Sequence, residues 1–267
     1  MDTELNNNQI QNLKTVLKFR YVTTDNLAHY QSITTNSAYS ALEILSKAGY
    51  LEKIYEKSYR LLNKSARYFL TQQALTFLRS QPDIQLDEAI WKSRKTDGKK
   101  TQDFIDLQIA LHAAYNDLKA RFGDKIAIDT ALELHGTEGI IKPLPGLLVR
   151  PQTGKNFFVE VADGQHLFFI RKRIRKYIDN YESNEWEWDT YPDIYFMRSS
   201  ASDRTRLRKF INQLMEDSYL DDSDFAFRIV SGVDQIKLQW VLDTLIHELG
   251  DDCMQATRAG NGRLVSG

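Results

Sequence analysis

Between residues 9 and 20 apolar side chains recur at Ile10, Leu13, Val16 and Leu17, the three-and-four spacing of one helix face. A short helix over 25–29 follows, with Thr24 placed to cap it and with Leu27, Ala28 and the later Ile33 turned inward. Residues 31–34 read as a turn. A longer helix runs from about residue 35 to 48, with Ala38, Ala41, Leu42 and Leu45 on one face and Gly49 as its stop. Residues 50–55 read as a strand, Lys57-Ser58-Tyr59-Arg60 as a polar, basic tip, and residues 67–70 as the return strand. Leu75 and Leu78, with Phe77 beside them, place a closing helix after Thr71. Over 82–100 the periodicity breaks. Pro82, a charged run from Lys92 to Lys100 and one tryptophan predict a solvated connector, pinned by Trp91 to a neighbouring domain. A segment tracking a DNA backbone is the alternative for that run.

A helix, a short helix, a tight turn, a longer helix and a basic hairpin, in that order, predict a winged helix-turn-helix over residues 22–71. The outer face of its third helix carries Asn36, Ser37, Tyr39, Ser40 and Glu43, with Lys47 at the end. Asn and Ser bond base edges or phosphates, Tyr bonds phosphates, and one helix fits the major groove. Thr34 and Thr35 sit at the helix N-terminus, where free backbone N–H groups favour a phosphate. Lys53, Lys57, Arg60, Lys64 and Arg67 line the wing, along which a phosphate backbone would run. Any surface helix has a polar outer face. The order of the parts therefore carries the expectation of double-stranded DNA, against a winged helix used only for protein contacts.

The second half opens on an amphipathic helix over 102–122, with the stripe Phe104, Leu107, Leu111, Ala114, Tyr115, Leu118 and Phe122. His112 lies beside the stripe and is expected at the helix surface or its boundary. Runs of strand formers follow at 126–134, 146–150 and 156–161. The third is apolar almost throughout, as a strand covered on both faces should be, and Glu160 interrupts it. A helix over about 167–181 has Leu167, Ile170, Ile174, Tyr177, Ile178 and Tyr181 as its buried stripe and Arg171, Lys172, Arg173, Arg175 and Lys176 on the rest. A strand at 192–197, a helix at 203–215 with Leu207, Phe210, Ile211 and Leu214 inward, a strand at 225–230 and a last helix at 235–249 complete the pattern. The fold class is thus α+β or α/β: a winged helix-turn-helix domain (1–81), a linker (82–100), an α/β domain with a mixed sheet (101–250) and a loose tail (251–267).

This order resembles the replication-relaxation family of plasmid and mobile-element proteins, and the wider restriction-endonuclease-like fold, over roughly residues 10–230. The resemblance rests on Tyr68-Phe69-Leu70-Thr71, on Lys142-Pro143-Leu144-Pro145-Gly146 ahead of a strand, and on Phe158-Val159-Glu160-Val161-Ala162-Asp163-Gly164 before the basic helix and Tyr177. Active members of that fold share a Pro-Asp … Asp/Glu-x-Lys motif. Its two carboxylates hold Mg²⁺, and its lysine helps to activate the attacking water. Under this alignment Glu160 is one carboxylate, Gly146 replaces the aspartate and Ala162 replaces the lysine. Asp129, Glu133 or Asp163 could substitute for the missing carboxylate, and Lys155 or Lys172 for the amine. The resemblance therefore implies a degenerate domain without catalytic residues, metal or cofactor. A Mg²⁺-dependent nuclease or nicking factor, using Glu160 with Asp129 or Asp163, is the alternative. In the non-catalytic reading Glu160 pairs with Arg171 or Arg175. Arg171, Lys172, Arg175 and Lys176 are then either a solvated face or a second DNA contact.

Composition adds the distribution of charge. Residues 1–100 hold 15 Lys+Arg against 10 Asp+Glu, and the remainder 20 against 26, within a net charge of −1. An electropositive module precedes an acidic one, and its modest charge predicts weak sequence-independent affinity. One cysteine, Cys253, excludes an internal disulfide framework and cysteine-rich zinc sites, and the five histidines lack metal-ligand spacing. The start of the chain is Asn- and Gln-rich without a signal-peptide pattern, its only low-complexity stretch is Asn6-Asn7-Asn8, and no apolar run approaches the ~20 residues of a membrane helix. A cytoplasmic protein is expected. The resemblance implies a DNA-binding accessory protein in replication, mobilisation or regulation of a mobile element, with a relaxase or replication protein as partner. A transcriptional repressor is a further alternative. A homodimer would bind half-sites about one helical turn, or a multiple, apart.

Overall fold

The computed structural model describes residues 5–56, 59, 61 and 64–238. The asparagine run is a helix start. The Asn6 side chain accepts the Gln9 backbone N–H and the Gln9 side chain accepts that of Asn6, a reciprocal cap that opens α1 (Asn7–Phe19). Thr23, not Thr24, caps α2 (Thr24–Gln31), and Thr34 caps α3 (Thr35–Lys47). Leu13, Val16, Leu17, Leu27, Ala38, Leu42 and Leu45 fill the space between the three helices. Ile33 departs from its expected inward position and is 38% exposed. Ser32 takes a left-handed conformation and the Ile33 N–H returns to the Ala28 carbonyl, a closure that leaves the isoleucine outside the core. Strands β1 (Leu51–Ile54) and β2 (Arg67–Leu70) pair antiparallel, and α4 (Gln72–Arg79) follows from a Thr71 cap.

Residues 82–100 are not a solvated linker. They form α5 (Glu88–Arg94) and a 3-10 turn (Asp97–Lys99), and Ile90, Trp91, Arg94 and Asp97 are buried. Asp97 pairs with Arg20 at 2.6 Å, the Tyr21 hydroxyl donates to the Asp97 carbonyl, and Arg94 donates to the Leu17 carbonyl. Of the basic residues in this run, Lys92, Lys95 and Lys99 stand in solvent. A charge pattern does not separate a partnered ion from a hydrated one; the partners are more than 70 residues away in the chain.

The α6 helix (Gln102–Phe122) leads into a five-stranded mixed sheet in the order β3 (Ile126–Thr130), β4 (Leu147–Pro151), β5 (Phe157–Val161), β6 (Asp193–Met197), β7 (Phe227–Val230). The first three pair antiparallel; β6 lies parallel to both β5 and β7. Each parallel step is bridged by a helix, α7 (Leu167–Glu182) and then α8 (Ala201–Asp217). Side-chain alternation splits the sheet cleanly. Phe157, Val159 and Val161 join the core on the α6 side, and Phe158 joins Ile170, Ile174, Tyr177, Leu207 and Ile211 on the α7–α8 side. β3 ends at Thr130, short of the expected 134, because the Glu133 carboxylate takes the Thr130 N–H and hydroxyl and turns the chain. The described residues thus form an α+β structure of eight α-helices, this sheet and the β1–β2 hairpin. The expected helix at 235–249 and the tail from 251 fall almost wholly outside the described residues. Gln235 itself closes a 3-10 turn (Val233–Gln235).

One apolar core runs from α1–α3 through Tyr115 and Leu118 of α6 to Ile126, Val149 and Val159 of the sheet. Both sides of α6 are therefore covered. Ile105, His112 and Asn116, which lie off the expected stripe, are buried, while Phe104, Leu107 and Leu111 on it are only half-buried. His112 in particular is fully buried, not at a helix surface. Its ring stacks on Phe19 with centroids 3.7 Å apart. Burial first, and then the positive Lys18 and His29, push its pKa from 6.5 down to about 3.

The unfolded chain protonates this imidazole near pH 6.5 while the folded chain does not, so its contribution is complete above that pH and is lost as pH falls toward 3. The slope reaches about 1.4 kcal/mol per pH unit. In denaturant titrations His112→Phe should flatten the decline in stability from pH 6.5 to about 5; parallel wild-type and variant profiles would show that the folded ring does take a proton there.

Candidate nucleic-acid interface

The outer face of α3 is free of the core. Thr34, Thr35, Asn36, Ser37, Tyr39, Ser40 and Lys47 are all exposed, while Ala38, Leu42 and Leu45 opposite them are fully buried. The Thr34 hydroxyl accepts the Ser37 N–H at 3.1 Å and lies 2.8 Å from the Ser37 hydroxyl. This cap orders the first turn, where Thr35 and Asn36 stand. Glu43, on the same helix, accepts Lys53 Nζ at 2.6 Å and the Tyr68 hydroxyl at 2.9 Å. The Lys53 hydrogen bond holds the Glu43 carboxyl below its usual range. The same bridge sets the hairpin against α3 and commits the Lys53 charge within the protein.

The rest of the described wing departs further from expectation. Arg67 is 4% exposed, its guanidinium lies 4.1 Å from the Tyr59 ring centre, and it donates to Asp106 of α6 at 2.8 Å. Lys64 reaches the same carboxylate at 3.1 Å. Burial works against the Asp106 charge, yet hydrogen bonds from Lys64, Gln102 and Arg67 hold its pKa below the usual range. The Tyr59 hydroxyl donates to Gln102 at 2.6 Å. Tyr59, Lys64 and Arg67 are therefore tied to the first turns of α6. Of the wing cations expected to contact phosphates, Lys53, Lys64 and Arg67 are each in an ion pair within the protein, and Arg67 is buried. Lys57 and Arg60 lie outside the described residues.

In the region compared with a nuclease centre, the Glu160 carboxylate is engaged by its own neighbours. Glu160 Oε1 accepts Arg173 Nε at 2.8 Å, Arg173 Nη2 at 2.6 Å and the Tyr177 hydroxyl at 2.5 Å. Desolvation opposes the Arg173 charge, but Glu160 raises its pKa. Burial, and then the Glu160 charge, raise the Tyr177 phenol well above its ordinary value. The partner is Arg173, not Arg171 or Arg175. Residues 173 and 177 are four apart on the α7 flank that meets β5, whereas 171 and 175 share the flank that meets Phe210 of α8. Arg173 also donates to the Pro143 carbonyl at 2.6 Å, tying this cluster to the loop before β4.

The other candidates are engaged elsewhere. Asp129 pairs with Arg150, Glu133 with Lys18 at 2.8 Å, and Asp163 accepts the Ser199 N–H and hydroxyl. Lys155 pairs with Asp193 at 3.0 Å, at the start of β5 and so at the opposite end of the strand from Glu160. Lys172 stands in solvent. Asp129 sits on β3, two strands from β5. Among the described residues no group of three or more His, Cys, Asp or Glu side chains could hold a metal ion. Gly146 explains why the aspartate position cannot simply be refilled. A Cβ there would stand 2.5 Å from Leu111 Cδ2 and 2.7 Å from the Val159 carbonyl oxygen.

Of the second cationic group, Lys176 donates to the Lys142 carbonyl, while Arg171 and Arg175 each stack over Phe210 with 5.1 Å to the ring centre. They face a cleft between α7 and α8 whose walls also include Phe168, Arg198 and Asp203. The part of Phe168 and Arg198 in this cleft was not anticipated. Phe168 was detectable: with Leu167, Ile170 and Ile174 assigned inward, helical spacing leaves Phe168 and Phe169 outside. Arg198 carries no such signal, since its place depends on how α8 folds back. No family model matches the chain, and no curated protein matches it significantly.

Because the Gly146 site is backbone-tight, Gly146→Ala should lower unfolding stability by about 1–3 kcal/mol. Gly146→Asp should lower it more and should not produce Mg²⁺-dependent nicking of supercoiled plasmid. A stable, cleaving Gly146→Asp protein would show that only the aspartate separates this site from a nuclease.

Proposed function

We propose that this protein is a sequence-specific double-stranded DNA-binding protein that reads its site with α3 and serves replication, mobilisation or regulation of a plasmid or other mobile element. The observation that carries the reading is the α3 face itself. Thr35, Asn36, Ser37, Tyr39 and Ser40 are exposed together on one capped helix, and the only carboxylate among them, Glu43, is neutralised by Lys53. A negatively charged face would repel the duplex; this one offers hydrogen-bond donors and acceptors with Lys47 at its end. The order of three helices and a hairpin supports a winged helix-turn-helix. The succession α6-β3-β4-β5-α7-β6 supports a restriction-endonuclease-like second unit.

In this reading the second unit is not an enzyme. Glu160 is held by Arg173 and Tyr177, and neither Gly146 nor Ala162 supplies a ligand or an amine. Its role is structural support, a homodimer contact or docking of a relaxase or replication protein. A repressor acting at its own operator would use the same α3 face. Because the described wing cations are internally paired, specificity rests more on α3 and less on electrostatic grip.

The full chain should enrich a defined duplex from a random pool, and on that duplex Asn36→Ala should lose about 1–3 kcal/mol of affinity while random duplex binding is unchanged. Lys47→Ala should weaken both duplexes alike. Failure to retain any duplex at low salt, or an Asn36→Ala protein that binds the enriched site as wild type does, rejects α3 as the reading helix.

A further inference from the structure

We propose that the cleft between α7 and α8 binds single-stranded nucleic acid, with Phe168 of its wall and the adjacent surface residue Phe169 as base-stacking surfaces and Arg171 and Arg175 as phosphate contacts. Phe168 and Phe169 are 60% and 62% exposed, adjacent on the first turn of α7, with ring centroids 5.5 Å apart. The apolar side of that helix is already used, since Ile170, Ile174, Tyr177 and Ile178 are buried against the sheet. The two phenylalanines are therefore surplus to the core, and an exposed aromatic pair on a monomer surface marks an interaction site.

The chemistry around the pair selects the partner. Residues 166–176 carry five cations and no acid. Arg171 and Arg175 are positioned by stacking over Phe210, and the buried Arg171 Nε has no hydrogen-bond partner. Arg198, by contrast, is committed to Asp203 at 2.6 Å and forms a wall of the cleft. The cleft has a volume of about 820 Å³, within the roughly 300–1,000 Å³ range of small-ligand sites. Aromatic faces next to guanidinium groups are the combination that holds unpaired bases, which present π-faces that a duplex keeps inside its stack. A membrane surface fits less well. A helix that lies in a bilayer interface must expose its apolar side, and that side of α7 is covered.

This surface lies on the side of the sheet away from α6 and does not rest on the duplex reading of α3. Fluorescence anisotropy of the full chain with a labelled oligo-dT of roughly 16 nucleotides tests it. The Phe168→Ala/Phe169→Ala double variant should bind about ten-fold more weakly or worse, and the corresponding double tyrosine variant should bind as wild type does. Arg171→Ala/Arg175→Ala should weaken binding and flatten its salt dependence. Asn36→Ala should leave it unchanged, which separates this site from α3. Both phenylalanines are exposed, so an unchanged circular dichroism spectrum is expected for the alanine variant. Absence of oligo-dT binding by wild type, equal binding by the alanine variant, or binding of phosphatidylglycerol vesicles in place of oligo-dT would overturn the proposal.

Discussion

The burial of α6 on both sides is the constraint on which the rest depends. One side takes α1 and α2, through Phe19 stacked on His112 and through the Asn116 side chain on the Asn26 carbonyl. The other takes the sheet, through the core shared with Val149 and Val159. A helix enclosed in this way transmits orientation. The α3 face packs on the core shared with α6, and the α7–α8 cleft lies beyond the second core, on the opposite face of the sheet. Of the buried polar groups on α6, Asn116 donates its amide to the Asn26 carbonyl, and His112 avoids a buried charge by losing its proton.

Ion pairs reinforce the same junction. Arg67 and Lys64 meet Asp106, Lys18 meets Glu133, and Arg20 meets Asp97. Each joins the first hundred residues to a later segment or to α5 and its following turn. Seven of the described Lys and Arg residues before residue 101 are thus in ion pairs within the protein, whereas Lys47, Lys92, Lys95 and Lys99 stay exposed. That changes the physics of the proposed DNA contact, because a paired cation gains less from counterion release, and more of the recognition falls to hydrogen bonds and shape. On α7, Lys172 and Arg175 stay exposed, near the exposed Phe168 and Phe169 rings.

The Glu160 cluster places a catalytic-looking carboxylate within a hydrogen-bonded network. Arg173 brings the Glu160 carboxylate, the Tyr177 hydroxyl and the Pro143 carbonyl into one network that joins β5, α7 and the loop before β4. Removing either charged partner would leave the other in a site where each is only 15% exposed. The close backbone approach at Gly146 lies in the same neighbourhood, so the loop position and the ion pair favour the same closed geometry.

Periodicity made most of the elements legible. The helices at 102–122 and 167–181, the central strand at 156–161 and the hairpin strands follow from local spacing, because burial on one face imposes its period on the chain. Membership of α3's outer face was readable for the same reason: once Ala38, Leu42 and Leu45 are inside, Asn36, Ser37, Tyr39 and Ser40 must be outside. What local spacing does not contain is the identity of a distant partner. Whether Arg67 met DNA or Asp106, whether Glu160 met a metal or Arg173, and whether Arg94 and Asp97 were hydrated or buried depended on residues far away in sequence or on a helix flank set by packing. His112 was misread because α6 is covered twice, and a second covering layer leaves no signature in a pattern read as one-sided. The sequence by itself determined the order of elements and the polar face of α3; the tertiary structure alone decided which charges are free, because neutralisation is a property of pairs that only folding brings together.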